Sequence, residues 1–142
     1  MSWKCAALEC QFENDDSQIV CSCCGLVRPS RLVLTAPSGA VWRTRIDTEI
    51  SRAVYRHLYA GVEHQYVPRS EAGYPYSVIK SSTGAWLLKP NLRSPIRTVL
   101  NGRVCDGSSV YGLSSGDVVS IAAVNNPMQT KAPLTVSFQP LD

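Results

Sequence analysis

From Arg31 onward, apolar and polar residues alternate with a period of two, and glycine, proline, asparagine or serine breaks the alternation at short intervals. Arg31-Leu32-Val33-Leu34-Thr35-Ala36 puts Leu32, Leu34 and Ala36 on one face, and Pro37-Ser38-Gly39 then turns the chain. Between Trp42 and Ile50 the residues Trp42, Thr44, Ile46, Thr48 and Ile50 fall on one side, and Arg43, Arg45, Asp47 and Glu49 on the other. Only an extended strand separates those sets, because a helical period mixes them. Ile46 and Ile50 are therefore expected to be buried, and Arg43 and Arg45 exposed. Further strands are predicted over Tyr76–Lys80, Trp86–Lys89, Thr98–Leu100, Val118–Ala123 and Leu134–Phe138. They are joined by the turn sequences Ser81-Ser82-Thr83-Gly84, Asn101-Gly102, Gly116-Asp117 and Asn125-Asn126-Pro127. Arg52–Ala60 reads as a short helix or another strand, and residues 61–75 as a long loop. Many short strands at regular spacing predict a mainly β protein, an antiparallel β-sandwich over residues 30–142.

The first 29 residues follow a different rule. Five of the six cysteines lie there, as Cys5, Cys10, Cys21, Cys23 and Cys24. Cys5 and Cys10 form one short-spaced pair and Cys21 and Cys24 another, the arrangement that completes a tetrahedral four-thiolate zinc site. So short a segment buries too little apolar area to fold by itself, so one structural Zn²⁺ per chain is expected to supply its folding free energy. Cys23 is left over, since Gly25 follows Cys24 in the usual turn position. The competing arrangement is a disulfide set. The opening Met1-Ser2-Trp3-Lys4-Cys5 lacks the apolar stretch of a secretory signal, which favours zinc and a cytoplasmic location. No apolar run of about 18 residues occurs, so no membrane insertion is expected.

The cysteine segment resembles the Ran-binding-protein type zinc finger, through Trp3-x-Cys5-x4-Cys10-x3-Asn14-x6-Cys21-x2-Cys24-x3-Arg28-Pro29. The resemblance implies two crossed hairpins around one zinc held by Cys5, Cys10, Cys21 and Cys24, with Trp3 packed on the module and Asn14 tying a loop. It also implies a protein partner or single-stranded RNA. The segment carries net charge −2 against +5 for residues 30–142, and Ser17, Gln18 and Val27 supply no arginine pair for stacked bases. Nucleic acid is thus the secondary expectation.

The body resembles the forkhead-associated (FHA) family. Asn91-Leu92-Arg93-Ser94-Pro95-Ile96-Arg97-Thr98-Val99-Leu100-Asn101-Gly102 is similar to that family's D-L-x-S-x-N-G-T-x-x-N-G. Leu113-Ser114-Ser115-Gly116-Asp117-Val118-Val119 is similar to its L-x-x-G-D-x-I, and Ile50-Ser51-Arg52 stands where the family has I-G-R. The family's S-R-x-H element falls near Pro68-Arg69-Ser70. The resemblance implies phosphothreonine-peptide binding at one end of the sandwich. Arg52 would hold the phosphate, Ser70 supply a hydroxyl and Arg69 a flanking cation, while Thr98 and Asn101 would order the loop. Ser51 replaces the family's glycine, and Ile96 and Arg97 replace its Asn-Gly, so Arg97 offers a substitute cation where a peptide-binding amide is lost.

No catalytic constellation is present. His57 and His64 stand beside no serine or cysteine nucleophile motif, no G-x-x-x-x-G-K occurs, and Cys105 reads as a small buried hydrophobe. The expectation is a non-enzymatic adaptor that binds a protein partner, under threonine phosphorylation if the loop residues serve. The alternatives are a single-stranded nucleic-acid-binding protein or a constitutive small subunit of a larger complex.

Overall fold

The computed structural model describes every residue except Met1, Ala6, Leu8, Ala60, Val62, Ser108 and Asp142. A two-stranded hairpin of β1 (Ser2–Lys4) and β2 (Glu13–Asp15) comes first. The body follows, with β3 (Ser30–Thr35), β4 (Val41–Thr44), β5 (Thr48–Ile50), α1 (Arg52–Leu58), β6 (Tyr76–Lys80), β7 (Trp86–Pro90), β8 (Ile96–Leu100), β9 (Arg103–Val104), β10 (Tyr111–Gly112), β11 (Val118–Ala123) and β12 (Asn126–Pro140). All strand pairs are antiparallel. One sheet has the order β4-β3-β12-β11-β8-β9 and the other β10-β7-β6-β5.

The alternation read from the sequence decides which side chains the sheets bury. Leu32, Leu34, Leu134, Val136, Val119 and Ile121 point inward from the six-stranded sheet, and Ile50, Tyr76, Val78, Trp86 and Leu88 from the other, all 2% exposed or less. Arg52–Leu58 resolves as a helix because Val54, Tyr55 and Leu58 recur at helical spacing and all three enter this core. Ala60, the last residue of that predicted segment, lies outside the described residues. The 61–75 stretch contains two short 3-10 turns, Glu63–Tyr66 and Glu71–Gly73. Tyr55 and Tyr76, fully buried, share a hydroxyl–hydroxyl hydrogen bond of 3.3 Å; desolvation first, and their mutual proximity second, hold the Tyr55 hydroxyl well above the usual tyrosine range.

One expected strand is two. The chain bends over Arg45–Asp47 and passes from the six-stranded sheet to the four-stranded one, so Trp42–Ile50 is not a single extended face. The Thr44 and Thr48 hydroxyls lie 2.9 Å apart, and both bond the Ile46 carbonyl, at 3.0 and 2.8 Å. Side chain–backbone bonds of this kind close a corner and leave its tip outside. Ile46 is accordingly 72% exposed, contrary to the expectation of burial, while Ile50 is buried and Arg43 and Arg45 are exposed as expected. β12 also starts earlier than the predicted Leu134, and the turn before it lies at Val124–Asn125.

The corner and the core separate in a stability measurement. Ile50→Ala is expected to cost about 2–5 kcal/mol in urea unfolding, and Ile46→Ala less than about 1 kcal/mol. Equal losses would mean that Ile46 is packed after all.

Candidate functional site

Strand register sorts the loops into two groups. Ile50, Tyr76 and Pro90 are paired neighbours at one end of the four-stranded sheet, and β8 leaves that same end at Ile96 after the 91–95 loop. The loops at this end therefore include α1, the Glu63–Tyr66 and Glu71–Gly73 turns, the 91–95 loop and the turn before β12. The opposite end holds the 81–85 and 101–102 turns, residues 113–117 and the cysteine segment.

At the first end, two loops are fastened to each other. The Asn91 carboxamide donates to the carbonyls of Ala72 (3.0 Å) and Tyr74 (2.8 Å), and the buried Ser94 hydroxyl donates to that of Gly73 (2.7 Å). The Gly73 N–H donates to the Ser70 carbonyl, and a Cβ on Gly73 would stand 2.7 Å from the Pro68 Cβ. The short loop carrying Arg69 and Ser70 is thus closed on itself and clamped to the 91–94 loop. Arg69 and Ser70 are both exposed. Arg97 is half-buried and donates through Nη1 to the Ser94 carbonyl at 3.3 Å. Arg52 is half-buried at the start of α1; its Nε is shielded from solvent with no hydrogen-bond partner, and no ion pair holds the guanidinium among the described residues.

The structure brings Arg52, Arg69, Ser70 and Arg97 to this end. Thr98 lies beneath it, buried, with its hydroxyl donating to the Pro75 carbonyl at 3.0 Å. Ile96 is half-buried against the core. Asn101 does not join them. It follows the far end of β8, where its carboxamide donates to Asp117 (3.0 Å) and its oxygen accepts from the Val118 N–H (2.8 Å). Its positive φ of 51° suits the turn that Gly102 completes. Asn91 and Ser94, which set the loop geometry, stand in the segment similar to the D-L-x-S element but carried no role there, and Gly73 had no signal beyond a turn-forming glycine.

At the opposite end, the Sγ atoms of Cys5, Cys10, Cys21 and Cys24 all lie within 4.8 Å of one another, with Cys5–Cys24 at 3.4 Å and Cys10–Cys21 at 3.7 Å. Sulfurs bound tetrahedrally at about 2.3 Å from a zinc ion stand about 3.8 Å apart, so the donor set suits such a cation. Each pair ends in a left-handed residue, Gln11 (φ 48°) after Cys10 and Gly25 (φ 82°) after Cys24. The buried Asn14 side chain accepts from the Ser22 N–H (2.8 Å) and so fastens the first hairpin to the second pair. Trp3 is buried with its indole N–H on the Gln18 carbonyl (2.8 Å), under Arg28, which also pairs with Asp16 at 3.2 Å. Burial raises the Cys21 thiol, but the Cys24 amide, the Asn14 side chain and the Cys23 amide bring it down to about 6. The Ala7 amide lowers Cys5, yet burial and hydrogen bonds with the other three thiols push it up to about 12. Cys23 is exposed and outside the cluster. Cys105 is buried in the body, and desolvation raises its thiol.

A search of solved structures aligns the chain with the FHA domain of an Arabidopsis thaliana hypothetical protein determined in solution, with TM-score 0.51 and 21% identity over 86% of this chain and 96% of that one. The fold is FHA-like. No protein-family model matches the chain, and no curated protein matches it.

Gly73 offers a direct probe of the clamped loops. Gly73→Ala is expected to push Pro68 away and to shift the amide resonances of residues 67–75 and 91–95, while those of β3 and β11 stay in place. Unchanged loop resonances would show that the contact does not set the loop.

Proposed function

We propose that the chain is a non-enzymatic interaction module. In this reading its FHA-like body binds a phosphorylated segment of a protein partner, and its N-terminal segment is a zinc finger of the Ran-binding-protein type. The observation that carries the first part is Arg52. A guanidinium with a solvent-shielded Nε and no internal partner is costly to keep unless a ligand completes it, and a phosphate dianion is the acceptor that suits it best. Ser70 and Arg69 are exposed on the clamped loop beside the same end, and Arg97 supplies the further cation. Thr98 acts as a positioning residue under the loop, and Asn101, at the other end, has no part in the contact. With Ile96 and Arg97 in place of Asn-Gly, the site holds its ligand through the phosphate more than through the peptide backbone.

For the finger, the mutual distances of the four sulfurs support one structural Zn²⁺ per chain on Cys5, Cys10, Cys21 and Cys24. All four positions are filled by thiolates, so the ion closes two hairpins and leaves no place for a reacting water. Two hairpins of this size enclose only a small cluster around Trp3, Cys5 and Cys21, so the metal supplies the folding free energy that a core supplies elsewhere.

Two measurements test these readings. Elemental analysis of freshly purified protein is expected to give one zinc per chain; Cys24→Ser removes it and Cys23→Ser does not. Acidification releases it, because protons compete for thiolate ligands. Equal loss in both variants would refute the ligand assignment. In a titration with a phosphothreonine peptide library, Arg52→Ala should weaken binding by about ten- to a hundredfold, the worth of about 1.5–3 kcal/mol. Binding that ignores the phosphate, or survives the substitution, would leave the sandwich as a docking surface of another kind.

A further inference from the structure

The cysteine segment sits on the sandwich without closing against it. Its Val27 N–H donates to the Thr83 carbonyl (2.9 Å), and the Leu141 N–H to the Pro29 carbonyl (3.2 Å). The approach at Gly84 is tight, since a Cβ there would come within 3.3 Å of the Val27 oxygen. Beside these contacts a cleft of about 400 Å³ remains, walled by Ile19, Val20 and Val27 on one side and by Trp86, Leu113 and Phe138 on the other. Ile19 is 73% exposed and Val20 42%, although both border an apolar wall.

The lining specifies what it accepts. Among the described residues its one ionic side chain is Arg28, whose guanidinium is already engaged by Asp16 and stacked on Trp3; the other polar side chains are the serines Ser30, Ser114 and Ser115. A charged ligand finds no free counterion there, and its desolvation would go uncompensated. The backbone beside most of the lining is already engaged: Trp86 pairs with Lys80 of β6 and its carbonyl accepts from the Leu113 N–H, and Val20 and Val27 bridge each other, while Phe138 pairs with Leu32 of β3 alone because β11 reaches β12 only as far as Val136. We propose that the cleft is a binding site for a small, uncharged, mainly apolar molecule, with the serine hydroxyls meeting one or two acceptor atoms. The size lies within the range of small-molecule pockets, about 300–1,000 Å³. This inference rests on the zinc reading in one respect. One wall is carried by the cysteine segment, so ligand and metal stabilise each other reciprocally, each raising the other's affinity by the same factor.

The test uses the uncharged fluorophore N-phenyl-1-naphthylamine and the full chain, with zinc content determined on the same samples. Saturable binding of one probe per chain is expected, weakened about tenfold or more by Val20→Glu and by Ser115→Trp with the zinc content unchanged. Chelation should abolish probe binding, and saturating probe should raise the apparent zinc affinity. Absence of saturable binding, or binding insensitive to both substitutions in zinc-loaded protein, overturns the proposal. Probe binding that both substitutions weaken in protein found to hold no zinc upholds the pocket and refutes the metal reading alone.

Discussion

Neither sheet of the body can leave its apolar face in water, and each is the other's cover. Leu32, Leu34, Leu134, Val136, Val119 and Ile121 meet Ile50, Tyr76, Val78 and Leu88 across that layer. Because successive side chains in a strand alternate sides, fixing this contact fixes everything outward-facing as well. It also sends every connection to one of two ends. The position of Arg52 follows from Ile50, since the chain must leave the core there and begin α1 two residues later. The position of Ser70 is set instead by the Gly73 N–H bond to its carbonyl and by the ties of that loop to Asn91 and Ser94.

The strands were legible to the extent that they alternate over several residues. β6 and β11 match their sequence reading residue for residue, because turn residues bound each of them closely, Pro75 and Ser81 around β6 and Gly116-Asp117 and Asn125 around β11. β9 and β10 have two residues each, too few to carry a period. The corner at Arg45–Asp47 escaped for a different reason. The pattern from Trp42 to Ile50 is a true alternation, and nothing in it marks the place where the chain changes sheets. That change rests on Thr44 and Thr48 turning their hydroxyls on one carbonyl, a contact visible only once the backbone has bent.

The candidate site was legible unevenly. The four clustered sulfurs were readable because ligand spacing is a local property, and two short loops suffice to aim two pairs. The loop end that carries Arg52 depends on register, which is not local. Ile96 and Asn101 are close in sequence, but at about 3.3 Å per residue a strand carries them to opposite ends of the sandwich. The ties made by Asn91 and Ser94 join loops about twenty residues apart, so only their turn chemistry was open to inspection beforehand.

Placing the cysteine segment at one end and the clamped loops at the other makes the sandwich a spacer with no give. β8 alone, five residues long, separates the two ends by about 17 Å. Two bodies held at these ends would neither collide nor compete, and their separation would be set by stacked sheets and not by the reach of a tether. Lengthening or loosening a loop at either end leaves that distance alone; only a change in strand length alters it.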